Sequence, residues 1–320
     1  MVLWILYNKD VIILKKVIML TLIIIIIPIL IVGLDGTDSI IKKTKYGSYS
    51  NRIIRVKRSN SGNIEYVPLE EYVIGVVAGE MPVSFNIDAL KSQAVASRTY
   101  VLKRLENYKK DYDVEDGTVN QVYIDNKQMK NKWKDSYEKN ISKVKQAVRE
   151  TEGEVILYKN QIIDALFFST SNGYTENSID VFSSNKPYLV SVSSLWDKEE
   201  SPVFSSTFEV SFSSFLFNLG LDNNNDINIS NIEKTNTGRV KSLVINGKKF
   251  TSSKIREAFG LKSTSFNIEK KENKIVFNVN GYGHGVGMSQ YGANGMAKEG
   301  YSYKKILEHY YKNCEIKKIN

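Results

Sequence analysis

Glu80 is the residue in this 320-residue chain whose type and position best suit acid chemistry. It closes the run LEEYVIGVVAGEMP, Leu69–Pro82, whose apolar residues fall at Leu69, Tyr72, Val73, Val76 and Val77. One more helical step along that stripe lands on Glu80, so the carboxyl group continues the buried face. A carboxyl on an apolar face loses hydration, and its pKa rises. A raised pKa is what a general acid needs near neutral pH. The plainer alternative is a helix-end glutamate paired with a Lys or Arg. Glu70 and Glu71 fall off the stripe and read as surface charges.

Three further runs carry candidate ligands. ALKSQAVASRTY holds Gln93 and Arg98 among small residues, Ala94, Ala96 and Ser97, that allow close approach of another element. Arg98 could bind a substrate carboxylate or orient Glu80, or be a surface arginine. FFSTSNGYTENS places Ser169, Thr170, Ser171, Asn172 and Gly173 just after a strand-like run, a supply of hydroxyl and amide groups that suits a sugar. A simple turn is the alternative. GYGHGVGMSQYG sets Gly281, Gly283, Gly285 and Gly287 around His284, followed by Ser289 and Gln290. Those glycines let the backbone approach something closely. The run lacks the GK[ST] ending of a phosphate loop, and Val286 breaks GxGxxG. No GxSxG elbow accompanies His284 and Ser289, which argues against a nucleophile triad.

Composition excludes several classes. One cysteine, Cys314, leaves no intramolecular disulfide, and with only two histidines the chain cannot fill an ordinary Cys/His zinc site. No metal or other cofactor is expected. The net charge of +9 suits a polyanion, but no zinc-finger spacing or basic heptad supports nucleic acid.

The positioning elements follow from periodicity. The spacing predicts a strand over Arg52–Lys57, a helix over Leu69–Gly79 broken by Pro82, and a longer helix over Ile87–Asn107 capped by Asn86. Tyr108–Met129 is polar. A helix runs through Tyr137, Ile141, Val144 and Val148 to a Gly153 cap. Hairpins are expected at Glu154–Tyr158 with Gln161–Phe168, and at Arg239–Ile245 with Lys248–Phe250 across Asn246-Gly247. Asp222–Asp226 is a polar loop, Ile275–Val279 a strand and Ser302–Asn313 an amphipathic helix. Mixed helices and hairpins without βαβ alternation predict an α+β fold.

Val17–Leu34 carries no charge over 18 residues, roughly 27 Å of helix, enough to cross a bilayer core. No small-residue cleavage site follows, so an uncleaved single-pass anchor is expected. Lys15 and Lys16 before it, with Asp35 and Asp38 after it, favour a cytoplasmic N-terminus. The expected organisation is a cytoplasmic 1–16, an anchor over 17–34, a linker over 35–51 and an extracytoplasmic catalytic domain over 52–320.

Taken together, EYVIGVVAGEMP, ALKSQAVASRTY, FFSTSNGYTENS and GYGHGVGMSQYGANGMAKEG, in this order behind an anchor, closely resemble the stage II sporulation protein D family. The resemblance runs from about Arg52 to the C-terminus. It implies a membrane-bound lytic transglycosylase of the mother cell, facing the forespore during engulfment. Such an enzyme cleaves peptidoglycan between N-acetylmuramic acid and N-acetylglucosamine in strands stripped of stem peptides, leaving 1,6-anhydro ends. It also implies as partners a wall amidase and a membrane scaffold protein. The family's catalytic glutamate falls on Glu80, its important arginine on Arg98 and its motif histidine on His284. Gln93, Arg98, Ser169, Ser171, Asn172, His284, Ser289 and Gln290 are then the expected glycan-binding set. Some relatives carry a Cys/His zinc site after the long helix; here Asp113–Trp133 contains neither residue type. Related domains include amidase enhancers, so a binding role without turnover is the alternative.

Overall fold

The computed structural model describes residues 52–107, 111–222 and 227–319. The expected anchor and linker, and most of the polar loop at 222–226, lie outside them. Among the described residues no helix is long and apolar enough to cross a membrane.

Strands β1 (Ile53–Lys57) and β2 (Ile64–Pro68) form an antiparallel hairpin. Helix α1 (Leu69–Glu80) follows directly, and its backbone ends at Met81, one residue before Pro82. Helix α2 (Ile87–Asn107) starts where Asp88 N–H donates to the Asn86 side chain at 3.0 Å, so Asn86 caps it as expected. α2 packs against both faces of its surroundings, touching α1 and several later elements. Its buried Ala89, Ala94, Ala96 and Ser97 allow that approach. Each fully buried Val or Leu beside them, such as Val95 and Leu90, contributes about 1.5–3 kcal/mol.

The polar stretch after α2 is more structured than its composition indicates. It contains β3 (Val114–Glu115), parallel to β1, and helix α3 (Asn126–Trp133). The cap is reciprocal: Asp125 accepts from Gln128 N–H, and the Gln128 side chain accepts from Asp125 N–H. Helix α4 (Tyr137–Arg149) and strand β4 (Glu154–Tyr158) follow. The strand expected over Gln161–Phe168 divides into β5 (Gln161–Ile162) and β6 (Phe167–Phe168). Short helices α5 (Ser178–Phe182) and α6 (Asp197–Glu200) lead to an inserted lobe.

That lobe is β7 (Ser205–Ser211), α7 (Phe212–Leu219), β8 (Ile229–Lys234), β9 (Val240–Ile245), β10 (Lys248–Thr251), α8 (Ser252–Phe259), β11 (Phe266–Lys271) and β12 (Lys274–Asn280). Its sheets, ordered β10-β9-β8 and β11-β12-β7, enclose a core including Phe215, Leu243, Ile255 and Phe277. The expected hairpin is there: Asn246 at φ 47° and Gly247 at φ 78° make the tight turn. The lobe's two ends leave side by side, joined by Gly281 N–H to Phe204 O at 2.7 Å. Strand β13 (Met288–Ser289), helices α9 (Gln290–Lys298) and α10 (Tyr303–Tyr310, capped by Ser302) and β14 (Glu315–Lys318) complete the chain. β13 pairs in parallel with β6, bringing the Ser-rich and Gly-rich runs together. The fold is mixed α+β, as the pattern predicts.

Candidate active site

Glu80 is the last residue of α1, and its partly buried carboxylate is gripped from two sides. Oε1 accepts Val122 N–H at 2.6 Å, and Oε2 accepts the Gln290 side-chain amide at 3.2 Å. The same amide nitrogen reaches Gln93 Oε1 at 3.4 Å, and Gln93 donates to Ser97 Oγ at 2.9 Å. Burial pushes the carboxyl above the usual glutamate range; the Val122 and Gln290 bonds and the charge of Lys132 pull back only part of that rise. Burial thus brings the protonated form closer to reach than in a free glutamate, while donors are in place for the ionised one.

Two glycines make this possible. A Cβ on Gly79 would stand 2.3 Å from Val122 O, and one on Gly75 would stand 2.4 Å from the Tyr123 ring. Residues 121–124 therefore lie in a groove of α1 that only glycine leaves open. Ile124 N–H donates to Gly75 O at 3.3 Å, Tyr72 stacks on Tyr123 at 5.5 Å, and the Tyr72 hydroxyl bonds Gln121 Oε1 at 2.9 Å. Ion pairs from β1 and its turn fix the same segment: Arg55 with Asp113 at 2.7 Å, and Arg58 with Asp116 and Asp125, each at 3.1 Å. This is the stretch in which some relatives would place zinc ligands. Among the described residues no group of three or more His, Cys, Asp or Glu side chains converges as a metal site.

The expected glycan-binding residues separate into different jobs. Gln93 and Gln290 join Glu80. Arg98 does not. Fully buried, it forms a two-pronged pair with Glu70, Nε to Oε1 at 2.8 Å and Nη2 to Oε2 at 2.6 Å, and also donates to the carbonyls of Glu154 and Val148. It ties α1, α2, α4 and β4 together, and Glu70 is its counter-charge rather than an ordinary surface residue.

Ser171 and Ser289 converge on a residue the motif reading did not single out, Asp197. Its carboxylate accepts Ser171 N–H and Oγ at 2.9 Å each, Ser194 Oγ at 2.6 Å, and the Ser289 hydroxyl. Ser194 passes the network to Tyr310 at 2.7 Å. Asp197 is fully buried, and burial holds its carboxyl above the usual range despite these donors. Ser169 lies beside the hub; its carbonyl accepts from Tyr291 N–H at 3.1 Å and Ser289 Oγ at 3.3 Å.

Asn172 and His284 sit at the seam with the inserted lobe. Asn172 Nδ2 donates to Thr237 O and Ser265 Oγ, both at 3.0 Å. His284 lies between Phe168 and Phe182, ring centres 5.7 and 5.4 Å away, and its Nδ1 accepts Val286 N–H at 3.1 Å. Burial, then the charges of Arg239 and Arg256, bring its pKa down to about 4, so it is neutral at pH 7. Beneath it Arg239 and Glu176, both fully buried, stand 3.6 Å apart. The glycine run closes over them: a Cβ on Gly285 would meet the Arg239 guanidinium at 2.6 Å, and one on Gly287 would meet Leu166 O at 2.0 Å. The glycines admit the protein's own chain.

Comparison with known proteins gives the same assignment by another route. The family model described as "Stage II sporulation protein" matches residues 57–158. A relative named "Stage II sporulation protein D" in Bacillus subtilis (strain 168) is 42% identical over 269 residues, 82% of this chain and 78% of that protein. Its namesake in Bacillus amyloliquefaciens aligns with the same identity and coverage. A B. subtilis protein named "Amidase enhancer" is 32% identical over 291 residues, 74% of this chain and 39% of that protein.

Proposed function

This chain belongs to the stage II sporulation protein D family, a family of sporulation proteins, and on that premise we propose that it is a peptidoglycan lytic transglycosylase with Glu80 as its acid and base. The supporting observation is the setting of Glu80: a desolvated carboxyl with a raised pKa, contacted by a backbone N–H and two carboxamides in sequence rather than by a second carboxylate. Paired-carboxylate glycosidases need a second carboxylate for water or for a covalent intermediate. An internal displacement needs neither. Protonated Glu80 gives its proton to the glycosidic oxygen as the C1–O bond breaks. The carboxylate then takes the proton of the C6 hydroxyl of the same muramic residue, whose oxygen closes on C1. Proton and charge balance, and the product is a 1,6-anhydro end.

Gln290 holds Glu80 directly, and Gln93 holds Gln290. The proposed substrate is glycan free of stem peptides, and the proposed partners are a sporulation wall amidase and a membrane scaffold protein of the engulfment machinery. The proposed location is the mother-cell membrane, with this domain outside.

The test is incubation of purified denuded sacculi with the protein, followed by mass spectrometry. Wild type should release anhydro-muropeptides, and Glu80→Gln should release 10²–10⁴-fold less, about the worth of a general acid. Release by the variant, or none by wild type, refutes the enzyme reading. The likeness to an amidase enhancer favours a second reading, a glycan-binding stimulator. Amidase stimulation that survives Glu80→Gln would make that role real and separable.

A further inference from the structure

The segment that supplies the Val122 N–H to Glu80 also delivers a cation. After residues 121–124 cross the groove of α1, the Asp125 cap turns the chain into α3. α3 runs back along α1 and places Lys132 Nζ 2.8 Å from Ala78 O, in the last turn of the helix that ends at Glu80. Lys132 is an exposed residue whose ammonium bonds back to that helix end. An ammonium has three donors, and among the described contacts one is spent on Ala78.

Arg98, the cation expected beside the acid, is committed to Glu70. Lys132 is the charged group that acts on Glu80 from a neighbouring element. From α9 and α2 come the uncharged Gln290 and Gln93, and from α1 itself the buried Tyr72 phenol, held protonated by burial. From α4, Lys143 bonds the Val83 carbonyl beyond the site at 2.9 Å. The coupling is reciprocal: burial lowers the Lys132 pKa and Glu80 raises it.

We propose that Lys132 is a positioning residue that holds the carboxylate form of Glu80 within reach, so that one side chain serves first as acid and then as base. This rests on the reading of Glu80 given above. The competing role is a cap: a lysine at a helix C-terminus satisfies free carbonyls and the helix dipole without affecting chemistry. The two roles differ in what the charge does. A cap is replaceable at some cost in stability. A charge tuning Glu80 moves its titration when removed, because losing a nearby cation disfavours the carboxylate.

The experiment compares Lys132→Gln and Lys132→Met, which lose the charge, with Lys132→Arg, which keeps it. Carbon-13 NMR follows the Glu80 carboxyl, assigned by its disappearance in Glu80→Gln. The high-pH limb of kcat/KM on denuded glycan follows the same group in action. Both should move up by roughly 0.5–1 pH unit in the Gln and Met variants and stay in place in the Arg variant. An unmoved carboxyl titration in folded Lys132→Gln and Lys132→Met, or an equal shift in Lys132→Arg, overturns the proposal. The NMR titration needs no substrate. A wild type without glycan cleavage but with a Lys132-dependent Glu80 titration therefore refutes the enzyme reading and leaves the coupling standing.

Discussion

Val122 N–H lies 2.6 Å from Glu80 Oε1, although the two residues are 42 positions apart. The bond exists because Gly79, next to Glu80, has no side chain to hold residue 122 away. A small residue beside the acid thus determines whether its carboxylate has a backbone donor. The donor is fixed by the fold and needs no reorganisation when the charge forms.

Gly79→Ala tests that dependence. The added methyl would meet Val122 O at 2.3 Å, and backbone cannot swing aside as a flexible side chain can. We expect a loss of about 1–3 kcal/mol in stability and a rise in the Glu80 pKa as the Val122 bond lengthens. Urea unfolding and the Glu80 carboxyl titration measure the two. An unchanged titration would show that the donor does not depend on the groove.

Arg98→Lys separates structural from substrate-binding roles. A lysine cannot reproduce the two-pronged contact with Glu70 or reach both carbonyls. The charge is kept but the second prong and a carbonyl contact are lost, which should cost about 1–3 kcal/mol. Melting should fall by several degrees, while KM of the folded fraction stays near wild type. A raised KM with unchanged melting would return Arg98 to the glycan site.

Arg239→Met removes the counter-charge of buried Glu176 and should destabilise the fold, most strongly above about pH 7 where Glu176 is ionised, with part of the loss recovered in the double variant with Glu176→Gln. Burial raises the Glu176 pKa from 4.5 to about 7. A folded value above the unfolded one means that its stabilisation is complete below 4.5 and is lost as pH rises through about 7. Wild type should therefore gain on Glu176→Gln on acidification, as denaturant midpoints across this range would show.

His284 carries the opposite sign. Its folded pKa, about 4, is below the ordinary 6.5, so its contribution is present above 6.5 and is lost as pH falls through 4. His284→Gln should be less stable than wild type at pH 7, with the gap narrowing toward pH 4. The activity profile between these values should carry no histidine limb. A limb near pH 6 abolished by this substitution would contradict the neutral assignment.

The anchor is testable in cells. Protease added to intact protoplasts should digest the domain after residue 52 if the N-terminus is cytoplasmic. Full protection would reverse the proposed orientation.

Local pattern alone located much of this protein. The apolar stripe of α1 points at Glu80 because 3.6-residue periodicity is a property of the chain itself. Asn86, the Ile87–Asn107 helix and the Asn246-Gly247 turn are equally local, since caps and tight turns are set by neighbouring residues. α3 is a helix that the reading of this stretch as merely polar misses, although Asp125 and Gln128 have the spacing of a reciprocal cap. What each motif does could not be read this way. Arg98 looks like a ligand until Glu70 is seen across a helix pair, and Ser171 and Ser289 look like sugar contacts until Asp197 is found between them. The four glycines look like a ligand cradle, but they make room for Leu166, Phe168 and Arg239. Partners from 26 to 210 positions away meet in these networks, and no period or spacing encodes which will meet. The sequence by itself determined the helices, the turns and the carboxyl group set on an apolar face. Only tertiary packing decided which polar groups hold that carboxyl and which hold the fold, because burial and hydrogen-bond partnership belong to the folded chain as a whole.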